Sequence, residues 1–360
     1  MLSREEYLTL PLKERFIKLS KSEDERATAL HGKLITVDLH THIVGSPRAR
    51  SMGFGTEFER QRLRNSGVTC FCEAIAILSE VFVDSMKELG SFFSIVRKQP
   101  DISVAFCAED IKKAKKEQKQ MVMAQLEPQT IGLQLDRIEV TYGLGVRMML
   151  LTFNSRNYIG DGCGERTDSG LSYFGLEVID RMNTVGMMID LSHCGVKTTL
   201  ETVEASKDPV LYNHAGASVL NSRCKRLKTD EQIKAVAEKG GLIGICAVPN
   251  FLANTKRQGI QDLLNHVDYV VKLVGVDYVA IGLDNLFGDH VAYHRKVMGE
   301  GSGITSRIGV KLVADYMEGI ESLEEWPNIT RGLVSRGYSD QEIEKIIGSN
   351  ALRIMDRIIG

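Results

Sequence analysis

The chain has 360 residues, 43% hydrophobic and 26% charged, with a formal net charge of −2. That length supplies one large core or two small ones, and the composition is that of a globular protein and not a disordered one. No basic tract is interleaved with aromatics, which excludes nucleic acid as an expected partner. The run from Lys112 to Lys119 has polar spacers and one glutamate, and it reads as a solvated helix face.

The first thirty residues carry Arg4, Glu5, Glu6, Lys13, Glu14 and Arg15 and lack the apolar core of a secretory signal. We expect residues 1–32 to form a helical extension ahead of a catalytic unit over 33–360. No window approaches membrane-spanning length, so no membrane partner is expected. The seven cysteines are odd in number and show no CxxC pairing. Cys70, Cys107 and Cys246 lie in apolar runs and read as buried thiols in a reducing, cytoplasmic compartment. Cys194 stands apart because it follows His193.

Apolar, β-branched-rich runs alternate with helix-patterned stretches. The expected strands are Leu34–His40, Val68–Ile77, Met121–Leu126, Val146–Leu151, Met187–Leu191, Val210–Asn213, Leu242–Ala247 and Val279–Leu283. Between them fall expected helices over Val81–Lys98, Gly132–Tyr142, Gly175–Asn183, Val196–Ser206, Thr229–Lys239 and Ile260–Val274, with a further short apolar run at Ile102–Ala105. Eight near-continuously apolar strands with helical crossovers predict an α/β fold, a parallel sheet closed into a (β/α)₈ TIM barrel. An open doubly wound sheet is the alternative, but no Gly-x-Gly-x-x-Gly follows the first strand. Gly67, Gly145, Gly186 and Gly241 precede strands, where a left-handed residue is expected. Ser339 caps an expected tail helix that packs on the barrel through Ile343, Ile346, Ile347 and Leu352.

Active sites of such barrels lie at the carboxyl ends of the strands. Strand one ends in His40-Thr41-His42, strand three in Glu127, strand five in Asp190-Leu191-Ser192-His193, strand six in Asn213-His214 and strand eight in Asp284. Singly, each has a dull explanation in capping or backbone hydrogen bonding. Together, four histidines and two carboxylates match the ligand set of a two-metal hydrolase. In that reading His40, His42 and Glu127 hold one ion, and Glu127, His193 and His214 the other. Two cations about 3.5–4 Å apart share a hydroxide and lower its pKa. Asp284 takes the water proton and passes it to the leaving amine. Asp38, taken to lie on the strand face of His40, is expected to orient an imidazole from behind. Zinc suits these donors, and manganese, iron or cobalt are alternatives.

These motifs resemble the membrane (renal) dipeptidases of the amidohydrolase superfamily. The resemblance spans about residues 33 to 357. It includes the stretch Gly186-Met187-Met188-Ile189-Asp190-Leu191-Ser192-His193 and the tail from Arg336-Gly337-Tyr338-Ser339 to Ile347-Gly348-Ser349-Asn350-Ala351-Leu352-Arg353. It implies two zinc ions per chain, hydrolysis of dipeptides and possible homodimers. It makes His40 and Glu127 the first histidine and the bridging glutamate, His193 and His214 the later ligands, and Asp284 the catalytic aspartate. Arg226 matches an arginine that meets the substrate carboxylate, with Arg223 as the alternative register. Two positions depart from the family. His42 stands where an aspartate is usual, and Phe153 where a histidine contacts the substrate carbonyl. Phenylalanine offers no hydrogen bond, and losing one such donor typically costs about 2.7–4 kcal/mol of transition-state stabilisation. Asn154, Arg156, His290 and His294 are replacement candidates. The substrate is accordingly either a dipeptide or another small amide, N-acyl amino acid, lactam or lactone.

Overall fold

The computed structural model describes residues 1–42, 62–75, 81–286, 290–293, 295 and 307–360. Its strands are β1 (Val37–His42), β2 (Cys70–Ile75), β3 (Ile102–Val104), β4 (Gln120–Leu126), β5 (Val146–Leu150), β6 (Met188–Asp190), β7 (Leu211–Ala215), β8 (Leu242–Ile245), β9 (Gln258–Gly259), β10 (Val279–Ile281), β11 (Asn285–Leu286) and β12 (Met317–Glu318). Eight of them, β1, β2, β4, β5, β6, β7, β8 and β10, form a parallel wall in that order. The ring closes through β11, which follows β10 and pairs with β1, Thr41 lying opposite Asn285. Two further bonds join the seam: Asp284 N–H to His40 O at 2.9 Å and Leu283 N–H to the Asp38 carboxylate at 2.9 Å. The barrel expected from the eight runs is therefore present. The Ile102–Ala105 run adds a strand outside it: β3 pairs with β4 opposite Gln120 to Val122, and β5 pairs with β4 from Ala124 onwards.

The crossover helices fall close to their expected spans, and Ile260–Val274 coincides. The basic run lies on the helix Ala108–Lys116 only as far as Lys116, with Lys119 beyond its end, and Lys112 reaches Asp356 at 2.9 Å. Gly186 ends the helix Tyr173–Val185 with φ +76°, as its position predicts. Gly241 differs: the left-handed residue there is Gly240 at φ +80°, and Gly241 is small because a Cβ would collide with Val210 O.

The lower interior is apolar. Leu39, Cys72, Met123, Met148 and Leu211 are buried in one cluster, which the C-terminal helix Asn350–Ile359 plugs with Ala351, Ile354 and Met355. Each fully buried side chain of the Leu or Met kind stabilises the fold by about 1.5–3 kcal/mol. That helix follows the Ser339-capped segment, as the tail periodicity predicts. Ahead of the barrel, the helix Lys21–Lys33 packs against Pro327–Ser335. No helix among the described residues is long and apolar enough to cross a membrane.

Candidate metal centre

Strand alternation decides which side chains reach the carboxyl mouth of the barrel. On β4 it is regular: Met121 and Met123 join the inner cluster, so Gln125 and then Glu127 follow on the same face. Three other strands carry an extra residue: on β5 Val146 is opposite Ala124 but Met148 is opposite Gln125, and the remaining two shape the mouth. Asp38 is opposite Phe71 but Thr41 is opposite Glu73, so β1 carries a bulge between them. On β7, Tyr212 is opposite Ile243 and Ala215 opposite Ile245, which places a second bulge at Asn213-His214. A bulge re-aims side chains. Here it turns Asn213 and His214, neighbours in sequence, towards the same interior. The Asn213 carbonyl fits there because Gly244 and Gly282 lack the Cβ atoms that would collide with it.

The β1 bulge corrects one expectation. Asp38 does not orient the His40 ring. Its carboxylate accepts from Trp326 Nε1 at 3.0 Å, from Leu283 N–H at 2.9 Å and from the His40 backbone N–H at 3.3 Å. It fastens the barrel seam to a helix and holds the strand that carries His40.

His40, His42, His193, His214 and Asp284 form one chain of contacts. Atoms of His40, His42 and Asp284 all lie within 4.8 Å of one another. Asp284 Oδ1 is 3.1 Å from His42 Nε2 and 3.6 Å from His40 Nε2, and its Oδ2 is 3.9 Å from His214 Nε2. The His40 and His214 rings stack at 3.8 Å, and His193 Nε2 faces His214 Nε2 at 3.0 Å. Glu127 is buried at the same mouth with Oε2 lacking a hydrogen-bond partner. Asp284 itself has φ +56°, a conformation uncommon for a residue with a side chain.

Amide groups set the ring tautomers. His193 Nδ1 lies 2.8 Å from Asn154 Oδ1, and His214 Nδ1 bonds Asn213 Oδ1. An amide oxygen only accepts, so both Nδ1 atoms carry the proton and both Nε2 atoms present lone pairs. Burial keeps the rings neutral: it holds His193 and His214 well below the usual histidine range and His40 at about 3, against the pull of Asp284 on His40. Burial would lower His42 as well, but its hydrogen bond to Asp284 and that carboxylate's charge raise it. Burial alone would raise Asp284. The His42 hydrogen bond and the charges of His40, His290 and His42 outweigh it and hold the carboxyl well below the carboxylate range. Burial lifts Glu127 to about 8, opposed by His42.

These residues fit a divalent cation. Imidazole nitrogen and carboxylate oxygen are donors that zinc, manganese, iron and cobalt accept. Two lone pairs facing at 3.0 Å repel each other in the protein alone, and a cation bound by both relieves that repulsion. Glu127 Oε2 and His42 Nδ1 are both buried without a hydrogen-bond partner.

Around the cluster, Phe153 stacks on His193 at 4.2 Å and 21°. Asn154 holds the other edge of that ring and also accepts from the Cys163 thiol at 3.3 Å. Arg156 is bound to Asp161 through two nitrogens. Arg226 is 1% exposed and donates to Ser192 O and to His214 O, the latter at 3.2 Å. It has no carboxylate partner among the described residues. Arg223, the alternative, is exposed. Lys228, unnoticed in the sequence, is equally buried and donates to Leu191 O at 3.2 Å and Cys194 O at 3.0 Å. Arg226 and Lys228 together secure the turn that carries His193. His290 is buried, and His294 lies outside the described residues. Burial pushes the Cys194 thiol up to about 12, which keeps it an unreactive thiol.

The described residues thus form a closed parallel barrel with buried histidines and a carboxylate gathered at its mouth. The sequence profile of the membrane dipeptidases (peptidase family M19) matches residues 24–288 and 285–359, so the chain belongs to that family. It is 29% identical over 219 residues to the dipeptidase verJ of Clonostachys rogersoniana, covering 60% of this chain and 50% of that one. It is 26% identical over 225 residues to dipeptidase 3 of Rattus norvegicus, covering 60% and 40%. The matched region thus spans about half the length of these relatives. Among solved structures, an amidohydrolase from Pseudomonas aeruginosa superposes with a TM-score of 0.80 at 28% identity, covering 93% of this chain and 99% of that one. A metallopeptidase from Rhodobacter sphaeroides, liganded with a phosphinate mimic of L-Ala-D-Ala, shares the fold at 18% identity and a TM-score of 0.74, covering 91% and 99%.

Proposed function

We propose that this family metallohydrolase cleaves the amide bond of a dipeptide or a closely related small amide. The observation that carries the reading is the convergence of His40, His42 and His214 on Asp284, with His193 Nε2 3.0 Å from His214 Nε2. His40, His42 and Glu127 would hold one zinc ion, and Glu127, His193 and His214 a second. Such a pair supplies Lewis acidity for the carbonyl and a water acidified towards neutrality.

The remaining work falls to the chain itself. Asp284, kept anionic by its histidine neighbours, removes the proton of the attacking water and delivers it to the leaving amine nitrogen. Asn154 and Phe153 hold the His193 ring from its edge and its face. Arg226, a buried cation with no acidic partner among the described residues, supplies positive potential for the substrate carboxylate from beneath the mouth. The catalytic unit is residues 33–360, and the helices over 1–32 are an extension of it. Release of amino acids from L,L- and L,D-dipeptides by the metal-loaded protein supports this reading, and inertness towards the whole panel, with metal bound, overturns it.

A second reading follows from Phe153. Its ring covers His193 and gives no hydrogen bond to a carbonyl oxygen. A substrate with a more reactive carbonyl, such as a lactone or lactam, or an N-acyl amino acid, depends less on that donor. Faster turnover of these compounds than of dipeptides favours it.

A further inference from the structure

We propose that Asn213 is the positioning residue that aligns His40 and His214 at once, and so ties together the two halves of the centre. The inference rests on the metallohydrolase reading above. Asn213 Oδ1 accepts from His214 Nδ1 and lies 2.8 Å from Ser192 Oγ. Its Nδ2 donates to Gln125 Oε1 at 2.7 Å and lies 3.0 Å from His40 Nδ1. Gln125 Oε1 is in turn 3.3 Å from His40 Nδ1. The amide therefore acts on His214 directly and on His40 through Gln125. With the Nδ1 proton of each ring given to an amide oxygen, each Nε2 is left to bind a metal.

Three features show that this placement is built into the fold. Asn213 is fully buried and sits in the β7 bulge. Without that extra residue, strand alternation would send Asn213 and His214 to opposite faces. The backbone oxygen of Asn213 occupies space that any side chain at Gly244 or Gly282 would fill. Finally, the two rings that Asn213 serves stack on each other at 3.8 Å, so tilting one displaces the other.

The test titrates the metal-free full-length protein with Co²⁺, following the visible absorption bands and the binding heat. Four proteins are compared: wild type, Asn213→Leu, Asn213→Asp and Asn350→Leu. Asn350 is a buried asparagine at the far end of the barrel that holds Val276 O and Val279 O, and it serves as the control for lost stability. Asn213→Leu should bind Co²⁺ about 10–100-fold more weakly with altered bands, the size usual for a residue that orients a metal ligand. Asn213→Asp keeps the acceptor for His214 but loses the N–H that holds Gln125, and should fall between the two. It also carries the test if the Leu variant does not fold. Asn350→Leu should lose stability and keep wild-type affinity and bands. Wild-type affinity and bands in both Asn213 variants, or equal losses in Asn350→Leu, would overturn the inference. A wild-type protein that binds no Co²⁺ would instead bring down the metallohydrolase reading, and this inference with it.

Discussion

Two regions of this molecule bury histidines, and they use the ring differently. In the helix layer, His31 Nδ1 meets Thr330 Oγ1 at 3.0 Å and its Nε2 donates to Ser66 O at 2.8 Å. His266 accepts the Ala217 N–H at 2.9 Å and donates to Leu252 O at 3.0 Å. Both nitrogens of each ring are satisfied by the protein. At the barrel mouth His40, His193 and His214 give one nitrogen to an amide and turn the other onto a ring or Asp284. Burial is similar in the two regions, so burial does not separate a ligand from a packing histidine. The partners of the second nitrogen do.

Four experiments press on this contrast, and the largest effect belongs to the carboxylate that the mouth histidines surround. Asp284→Asn should lower kcat by about 10²–10⁴-fold, the range for loss of a general acid–base group, while metal content stays near wild type. Activity that survives largely intact in that variant would remove Asp284 from proton transfer.

Chelation should come next in size. Metal bound at 1,000 times its Kd stabilises a protein by about 4.1 kcal/mol, and urea unfolding with and without metal reads that gain. His214→Leu should reduce it, since His40, His42 and Glu127 are left to hold one ion, and His266→Gln should keep it whole. The opposite pattern would place the metal in the wrong region.

The pH dependence of the packing histidines is the third. Burial lowers His266 to about 4 from an ordinary 6.5, despite its bond to Leu252 O. The unfolded chain takes that proton first, so the stabilisation is whole above pH 6.5 and is lost as pH falls towards 4, by about 3 kcal/mol. Urea stabilities of wild type and His266→Gln should converge over that window, and a constant gap would contradict the assignment.

The smallest change concerns substrate. Phe153→His restores a donor but loses the fixed stacking on His193. We expect dipeptide turnover to rise about tenfold, or 1.4 kcal/mol, against a ceiling of about 2.7–4 kcal/mol for a well-placed donor. An unchanged dipeptide profile would count against a role for this position in carbonyl recognition.

Much of the architecture could be read from the residues, because apolar runs of strand length separated by helical periodicity leave few alternatives to a barrel. The ends of those runs also carried the chemistry: regular alternation on β4 delivers Glu127, and Asp284 follows two residues after Gly282. What escaped was register. The bulges in β1 and β7 exist only relative to β2 and β8, so neither the outward turn of Asp38 nor the paired inward turn of Asn213 and His214 has a local signal. Gln125 could have been found, since it shares the face of Glu127 two residues on. The main-chain partners of Arg226 and Lys228 could not, because backbone oxygens have no signature in sequence.

Metal stoichiometry tests the central claim most directly. Metal-free protein is saturated with Zn²⁺, freed of excess ion and assayed for zinc per chain, with His193→Leu alongside. Two ions in the wild type and fewer in the variant are predicted. A wild-type chain that emerges without zinc would contradict the metal centre at the barrel mouth.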